Sequence, residues 1–188
     1  MTKRPELRLV ERGPDAATEW RWFCGHCAAP SPGGMAPPPG ARVCTSCGLG
    51  ILLEAREDAV PAIHDAFLVV DSSLLVQAMS EQAQTFLGLT EELAVNKPVG
   101  ELLVPADAEA GGSTGFAAAI AQAAGGEDPD TARSFVRPWN TFGVRVRARI
   151  ATCGPPRAAL VVLEEGRTPR PLRAVQSSAR AAVAGRGR

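Results

Sequence analysis

Two C-x2-C motifs constrain this chain more than any other feature of its sequence. The motifs C-G-H-C and C-T-S-C are separated by 16 residues, which is the spacing typical of four-cysteine metal sites. Four thiolates around one cation form a closed tetrahedral shell, the arrangement of structural rather than catalytic zinc. The sequence therefore predicts a structural Zn²⁺ site, with the ligands Cys24, Cys27, Cys44 and Cys47.

Two disulfides or one redox-active pair are the alternative interpretations of these cysteines. The N-terminal sequence MTKRPELRLV lacks the apolar segment of a signal peptide, and no apolar run approaches the roughly 20 residues of a membrane span. We therefore expect a soluble, cytoplasmic protein, in which stable disulfides are rare. A thioredoxin-like motif would require a βαβ context that the sequence lacks. His26, inside the first motif, is expected to be a solvent-exposed residue.

Residues 20–53 resemble a zinc ribbon. Extended runs at 20–23, 41–43 and 50–53 flank the two motifs. Gly25 and Gly48 are expected to adopt the unusual backbone dihedrals that such turns need, and so to relieve crowding there. The intervening loop SPGGMAPPPG can form no regular ladder, because proline lacks the backbone donor, and we expect it to project. Arg42 is the only cation between Cys24 and Leu53, so this segment is better suited to protein contact or a structural role than to nucleic-acid binding.

A β-hairpin followed by a helix is predicted from residue 66 onward. Two apolar runs, 67–70 and 74–79, are separated by the polar turn Asp71-Ser72-Ser73. Ser80 is a helix N-cap, with an acidic residue directly after it, and Gly88 is a plausible C-terminal stop. A second short helix is predicted over residues 91–103.

The remaining elements complete a recognisable order. The alanine-rich run 116–124 predicts a third helix, and three extended runs follow at 133–139, 143–152 and 158–165, with turn-like residues between them. The order β-β-α-α-α-β-β-β resembles a PAS domain over residues 62–165. The helix S-E-Q-A-Q-T-F-L-G is also similar, although PAS domains usually have Asn near its start. The resemblance implies an α+β fold, with a five-stranded antiparallel sheet and helices on one face.

Five segments are predicted along the chain. They are an N-terminal arm (1–19), the zinc ribbon (20–53), a linker helix (54–65), the PAS-like domain (66–165) and a disordered basic tail (166–188). The linker helix would resemble the N-terminal cap through which many PAS domains dimerise. The formal net charge of zero conceals a segregation, since residues 58–165 carry a net charge of −7 and the tail has six arginines and no acid.

The resemblance to PAS domains also implies a ligand cavity beneath the third helix. Haem-binding members offer a histidine on that helix and flavin-binding photosensors carry an N-C-R-F-L-Q-like motif; both are missing here, so haem and flavin are disfavoured. Cys153 is interpreted as a small, partly buried thiol. Arg145, Arg147 and Arg149 alternate with apolar residues, which indicates either a solvated sheet face or pairing with an acidic surface such as the linker helix.

We therefore expect a non-enzymatic sensory or signalling adaptor. Its PAS-like domain would bind a small molecule or a protein, and its zinc ribbon would contact a protein partner. No arrangement of Ser, His, Asp or Cys typical of a catalytic site is found in the sequence. A homodimer through the linker helix or the sheet face is a further expectation. The alternative function is transcription-associated nucleic-acid binding by the ribbon and the arginine-rich tail.

Overall fold

An antiparallel sheet of eight strands organises the part of the chain that the structure describes. The computed structural model describes residues 19–38, 40–106, 115–126 and 131–164, so nearly all of the predicted arm and the whole predicted tail lie outside the described residues. The strands are β1 (Trp20–Cys24), β2 (Leu52–Arg56), β3 (Ala66–Val70), β4 (Val76–Met79), β5 (Leu103–Pro105), β6 (Ala132–Pro138), β7 (Val146–Gly154) and β8 (Ala158–Glu164). Their order is β1-β2-β7-β8-β3-β4, with β6 also paired to β7 and β5 paired to β6.

Five of these strands follow the predicted arrangement. Strands β4, β3, β8, β7 and β6 are neighbours in that order, and every pair is antiparallel. Together with the helices between β4 and β6, this curled antiparallel sheet fits a PAS-like fold. The predicted count of five strands is too small, because the structure adds β1, β2 and β5 to the same sheet.

Among the described residues, three α-helices lie between β4 and β6, and the ends of α1 follow from local signals. They are α1 (Glu81–Leu87), α2 (Glu91–Ala94) and α3 (Phe116–Gly125). The Ser80 hydroxyl accepts a hydrogen bond from the Ala83 amide, and Gly88 ends α1 with a left-handed φ of 63°, as predicted. No helix among the described residues is long and apolar enough to cross a membrane.

The second predicted helix is wrong beyond its first turn. Asn96 adopts a left-handed φ of 64°, and Pro98 has no backbone donor with which to continue a helix. The chain instead forms a 3-10 turn at Val99–Glu101 and then enters β5. The apolar residues at 102 and 103 thus enter the core from a turn and a strand, not from a helix.

Both faces of the central strands are buried. We call the face beneath the helices the inner face and the opposite one the outer face. Leu68, Val70 and Val161 pack in the inner cluster with residues of α3, whereas Val69 and Leu160 pack in the outer cluster with residues of β1 and β2. Because side chains on both faces of β3 and β8 are buried, the sequences of these strands are continuously apolar.

The predicted linker helix is also wrong. Residues 54–56 belong to β2, where Glu54 lies opposite Gly154 and Ala55 opposite Cys153. A turn follows at 57–59, and it buries Ala59 completely. The helix-forming composition of this segment is overridden by its pairing with β7, since local propensity is weaker than tertiary packing. The predicted boundary at residue 53 therefore falls inside a strand of the shared sheet.

The arginine row of β7 is engaged within the chain. Arg149 donates to the Asp58 carbonyl and lies 3.5 Å from a Glu164 carboxylate oxygen. The Arg145 guanidinium lies 3.8 Å from the centre of the Phe135 ring. The expected pairing with acidic side chains of a linker helix is therefore replaced by contacts to a turn carbonyl, to β6 and to β8.

The third helix fills the inner face with its own side chains. Phe116, Ile120 and Ala124 are at most 5 % exposed, and the Thr152 hydroxyl donates to the Ala123 carbonyl at 2.8 Å. Four of the cavities among the described residues, of about 170 to 580 Å³, have no α3 residue in their walls. The ligand cavity expected beneath this helix is not among those four.

Candidate metal centre

The four predicted cysteines come together at one end of the β1–β2 hairpin. Their sulfur atoms all lie within 4.8 Å of one another, with 3.7 Å between Cys24 and Cys47 and 3.8 Å between Cys27 and Cys44. A tetrahedron with metal–sulfur bonds of about 2.3 Å has sulfur–sulfur edges of about 3.8 Å, whereas a disulfide would require about 2.05 Å. The cysteines thus lie close enough to hold a metal ion, and the geometry is compatible with zinc.

Backbone amides support the sulfur atoms in two similar turns. The amides of His26 and Cys27 point at the Cys24 sulfur at 3.4 and 3.5 Å. In the second turn, the amide of Ser46 donates to the Cys44 sulfur at 3.3 Å, and that of Gly50 to the Cys47 sulfur at 3.4 Å. Amide donors stabilise thiolates, so each turn is prepared for an ionised cysteine.

The residue after each C-x2-C motif is the one with an unusual backbone conformation. Gly48 has a φ of 70° and Ala28 a φ of 58°. The expectation is therefore confirmed for Gly48 but not for Gly25, whose φ is not left-handed. Gly25 instead lies in a crowded position, where an added Cβ would lie 3.1 Å from a methyl group of Leu53.

Gly50 is the most tightly packed residue of the cradle, the backbone around the four cysteine sulfur atoms. A Cβ placed on this residue would collide with the Cys24 sulfur and would lie 2.7 Å from the His26 Cβ. The amide of Cys44 also donates to the Gly50 carbonyl at 2.8 Å, which ties the second turn to the strand that follows it. The sequence led to no prediction for Gly50, although a glycine three residues after Cys47 is a local signal of close packing at the second turn.

The thiols of Cys24, Cys27 and Cys47 differ in acidity. Burial raises the pKa of Cys24 far above its ordinary value and also raises the pKa of Cys27. For Cys47, burial acts in the same direction, but the amides of Gly50 and Leu49 contribute to lowering its pKa to about 6. A bound divalent cation would remove this conflict, because it stabilises all four thiolates together.

His26 connects the first turn to the helical side of the molecule. Its side chain is 17 % exposed, and its Nδ1 lies 3.1 Å from a carboxylate oxygen of Glu91 in α2. The other oxygen of Glu91 accepts a hydrogen bond from the Met79 amide at 2.8 Å. The prediction of a solvent-exposed His26 is wrong, because the side chain is largely buried against Glu91. No local sequence pattern indicates a partner 65 residues away.

The hairpin that carries the centre packs firmly on the outer face. Phe23 is fully buried, and its ring meets that of Phe67 edge to face, with 6.1 Å between centroids. The guanidinium of Arg42 lies 5.8 Å from the centre of the Trp22 ring and donates to the carbonyls of Leu52 and Pro155. The hairpin with its cysteine cluster and the PAS-like sheet thus form one packed unit.

The loop between the two motifs is anchored at its beginning, whereas residues 32–36 are exposed and its projection stays a prediction. Ser31 is only 6 % exposed, its amide donates to the Trp22 carbonyl, and its hydroxyl donates to the Met35 carbonyl. These bonds hold the beginning of the loop against β1, where Pro30 also forms a bridge with Phe23.

Comparisons with known proteins give only distant likenesses. No protein-family profile matches the sequence, and no curated protein matches it. The fold is similar to the PAS domain of a Colwellia psychrerythraea protein (TM-score 0.42, 18 % identity, 54 % of this chain and 86 % of that chain). It is also similar to the PAS domain of nitrogen regulation protein NR(II) from Vibrio parahaemolyticus (TM-score 0.39, 10 % identity, 54 % and 89 %).

A third similar structure is a chain of the Escherichia coli DhaR(N)–DhaL complex. Its TM-score is 0.37 at 16 % identity, with 56 % of this chain and 33 % of that chain covered. Since all three TM-scores are below 0.5, the strand order and the helix positions, rather than these likenesses, define the fold as PAS-like.

Proposed function

We propose that Cys24, Cys27, Cys44 and Cys47 bind a structural Zn²⁺ and that the protein is a sensory or signalling adaptor. In this proposal, the metal holds the β1–β2 hairpin on the outer face of a PAS-like domain. The observation that carries the proposal is the continuity of the two parts. The strand that leaves the metal centre pairs with β7, and the hairpin buries the outer side chains of β3 and β8.

A structural role for the metal is supported by the position of the cysteines. Cys24 and Cys44 are buried, and together with Leu52 they form a cluster of only three buried residues. A module with so little apolar core needs another source of stability. Four sulfur ligands also leave no open coordination position for a substrate.

Signalling by contact is supported by the packing on both sides of the sheet. A shift of the hairpin would displace β3 and β8 through the contact between Phe23 and Phe67. It would displace α2 through the contact between His26 and Glu91. The side chains of Met35, Val43, Leu49 and Ile51 are 53–74 % exposed near the metal centre. Grouped apolar exposure of this kind marks a surface for a protein partner.

The expected homodimer surfaces are only partly present. Residues 54–65 form no helix, and the outer face over β3 and β8 is already covered by the hairpin. The outer face remains open over β6 and β7, where Arg147 is about half exposed. We therefore favour a different protein partner at the hairpin over self-association through these surfaces.

Nucleic-acid binding receives little support from the described residues. Arg42, the one cation between Cys24 and Leu53, is held against Trp22 and two backbone carbonyls. Binding to a phosphate backbone needs several accessible cations. The arginine-rich tail lies outside the described residues, so its part of this alternative stays a prediction.

A non-enzymatic role is part of the same proposal. Cys153 is 1 % exposed, and burial raises its pKa to about 12, which keeps it a neutral thiol. His26 is paired with Glu91 rather than with a nucleophile. These two observations support an adaptor over a cysteine- or histidine-dependent enzyme.

The test of the metal site is a native mass spectrum recorded beside a denaturing one. We expect the native protein to carry the mass of one zinc ion and to lose it on denaturation. A native protein with no metal and two disulfides would overturn the metal proposal.

The sensory part is tested by a thermal-shift screen against small molecules. A ligand that binds the native state raises the melting temperature as its concentration increases. If no compound shifts the melting temperature and no protein partner is found for the hairpin surface, the adaptor function is wrong.

A further inference from the structure

A cleft of about 450 Å³ lies between the first cysteine turn and the outer face of the sheet. Its position differs from that of the cavity expected beneath α3, because its walls come from the hairpin and from the opposite side of the sheet. The volume lies within the range of about 300–1,000 Å³ that is typical of small-molecule sites. Leu49 and Ile51 of the exposed apolar surface described above form part of its rim.

The cleft has an apolar interior. Val69, Ala78 and Ala158 line it from the sheet, while Leu49, Ile51 and Leu53 line it from the hairpin. Leu49 and Ile51 are 74 % and 53 % exposed, so their side chains have surface available to cover a ligand. An occupant with an apolar body would bury these side chains and gain hydrophobic stabilisation.

The cleft contains two carboxylates beside the polar side chains of His26, Gln77 and Arg157, and the Gln77 amide donates to Asp71 at 2.7 Å. Asp71 and Glu91 both line it, and each carboxylate is held in place by backbone amides. Asp71 accepts from the amides of Ser73 and Leu75, and Glu91 accepts from the Met79 amide and contacts His26. Both carboxylates remain partly exposed, so they can accept further hydrogen bonds from a ligand.

The one arginine in the wall offsets only one of the two carboxylate charges. Arg157 donates to the Gly125 carbonyl at 3.1 Å, and its guanidinium lies against Gly126. It is therefore engaged by the C-terminus of α3, where a cation is favourable. The cleft also adjoins Cys24, whose thiolate would add negative charge in the zinc centre proposed above.

We propose that this cleft binds a small primary amine with an apolar body. The ammonium group would donate to Glu91 and Asp71, and the apolar body would lie on Val69 and Ala78. Charge-assisted hydrogen bonds of this kind are stronger than neutral ones. The inference deepens the proposed sensory function, because it names the ligand class and moves the ligand site to the metal-bearing side of the sheet.

The test is isothermal titration calorimetry on the full, zinc-loaded chain. The probes are 2-phenylethylamine, isoamylamine and tryptamine, with 3-phenylpropionate and 2-phenylethanol as matched anionic and neutral compounds. We expect at least one amine to bind and both matched compounds to bind at least tenfold more weakly. Binding of none of the amines, or equal binding of the carboxylate, would overturn the inference.

Two variants place the site. Glu91→Gln keeps an acceptor for the Met79 amide but removes the charge, so amine affinity is expected to fall by about tenfold or more. Ala78→Leu fills the floor of the cleft and is expected to abolish binding. The control Glu92→Gln removes the charge of the neighbouring exposed residue and should leave the affinity unchanged. Unchanged affinity in both test variants would exclude this cleft.

Zinc content is measured for each protein in the same preparation. A zinc-loaded chain that binds no amine refutes this inference alone and leaves the proposed metal centre standing. A chain that binds amines without zinc refutes the metal proposal and supports the cleft.

Discussion

The two faces of the sheet are covered in physically different ways. The inner face is closed by a cluster of 22 buried residues, which come from the strands, the helices and the turn between α2 and β5. The outer cluster has ten, and only four of them, Phe23, Ala28, Leu53 and Ala55, belong to the hairpin segment. Since hydrophobic stabilisation scales with the apolar area buried, the inner cover can hold itself in place. The outer cover needs an additional constraint.

In the proposed function, the cysteine cluster would supply that constraint at the end of the hairpin. A tetrahedral metal centre would fix the two turns relative to each other, and the hairpin would then present Phe23 and Leu53 to the sheet as one rigid surface. If the proposed metal is bound, the difference teaches that a few apolar residues would suffice to cover a sheet, because the metal would order the chain that carries them.

The largest expected effect is the loss of a metal ligand. Cys44→Ser removes one of the four proposed ligands and should therefore release zinc. Zinc binding contributes about 10–16 kcal/mol of free energy in isolated zinc modules, and this contribution would be lost. The hairpin should then leave the outer face, so that Cys153, now 1 % exposed, becomes accessible to alkylation. Bound zinc and site-resolved alkylation are measured by mass spectrometry.

Cys153→Ala is the matched control, because this buried cysteine is no ligand in the proposed site, and it should keep one zinc ion. If the Cys44 variant loses zinc while Cys153 stays protected, the two faces are independent and the comparison fails.

A smaller effect is expected from the contact between the hairpin and the sheet. Phe23→Ala removes a fully buried ring that packs against Phe67 and should lower the free energy of unfolding by about 3–5 kcal/mol. The measurement is urea denaturation with zinc present.

Trp20→Ala is the control in the same strand. The side chain of Trp20 is 48 % exposed, and its loss should cost clearly less. Equal losses in the two variants would show that the hairpin gains no specific stability from the outer cluster.

The cradle of the metal centre is tested by Gly50→Ala. The added methyl group would collide with the Cys24 sulfur and the His26 side chain, and overpacking of this kind costs about 1–3 kcal/mol. Zinc affinity, measured by competition with a chelator, should fall in parallel. Gly100→Ala, where an added Cβ meets no atom within 4 Å, should leave zinc affinity at the wild-type value.

The smallest effect is expected on the inner side of the sheet. Ser80→Ala removes a hydroxyl that accepts from the amides of Phe67 and Ala83, and stability should fall by about 1–2 kcal/mol. Zinc affinity should not change. Thr85→Ala, at an exposed position on the same helix, is the control. A fall in zinc affinity for Ser80→Ala would show that the helices on the inner face and the hairpin on the outer face are energetically coupled.

The sequence by itself determined the features whose signals are local. The spacing of the cysteines predicted the set that the structure brings together. The β3–β4 hairpin and the caps of α1 were predicted from neighbouring residues. A C-x2-C turn, a polar turn between apolar runs and a helix cap each depend on interactions between residues a few positions apart, so the sequence contains them directly.

Only the tertiary structure decided how these parts are joined. Residues 54–56 have a helix-forming composition but lie in a strand, in which Glu54 and Ala55 pair with β7, about 100 positions later. His26 contacts Glu91, and Phe23 packs against Phe67, because the hairpin folds back over the sheet. Such contacts gain their energy from burial and hydrogen bonding between distant segments. That energy exceeds the small differences in local propensity from which the linker helix was predicted.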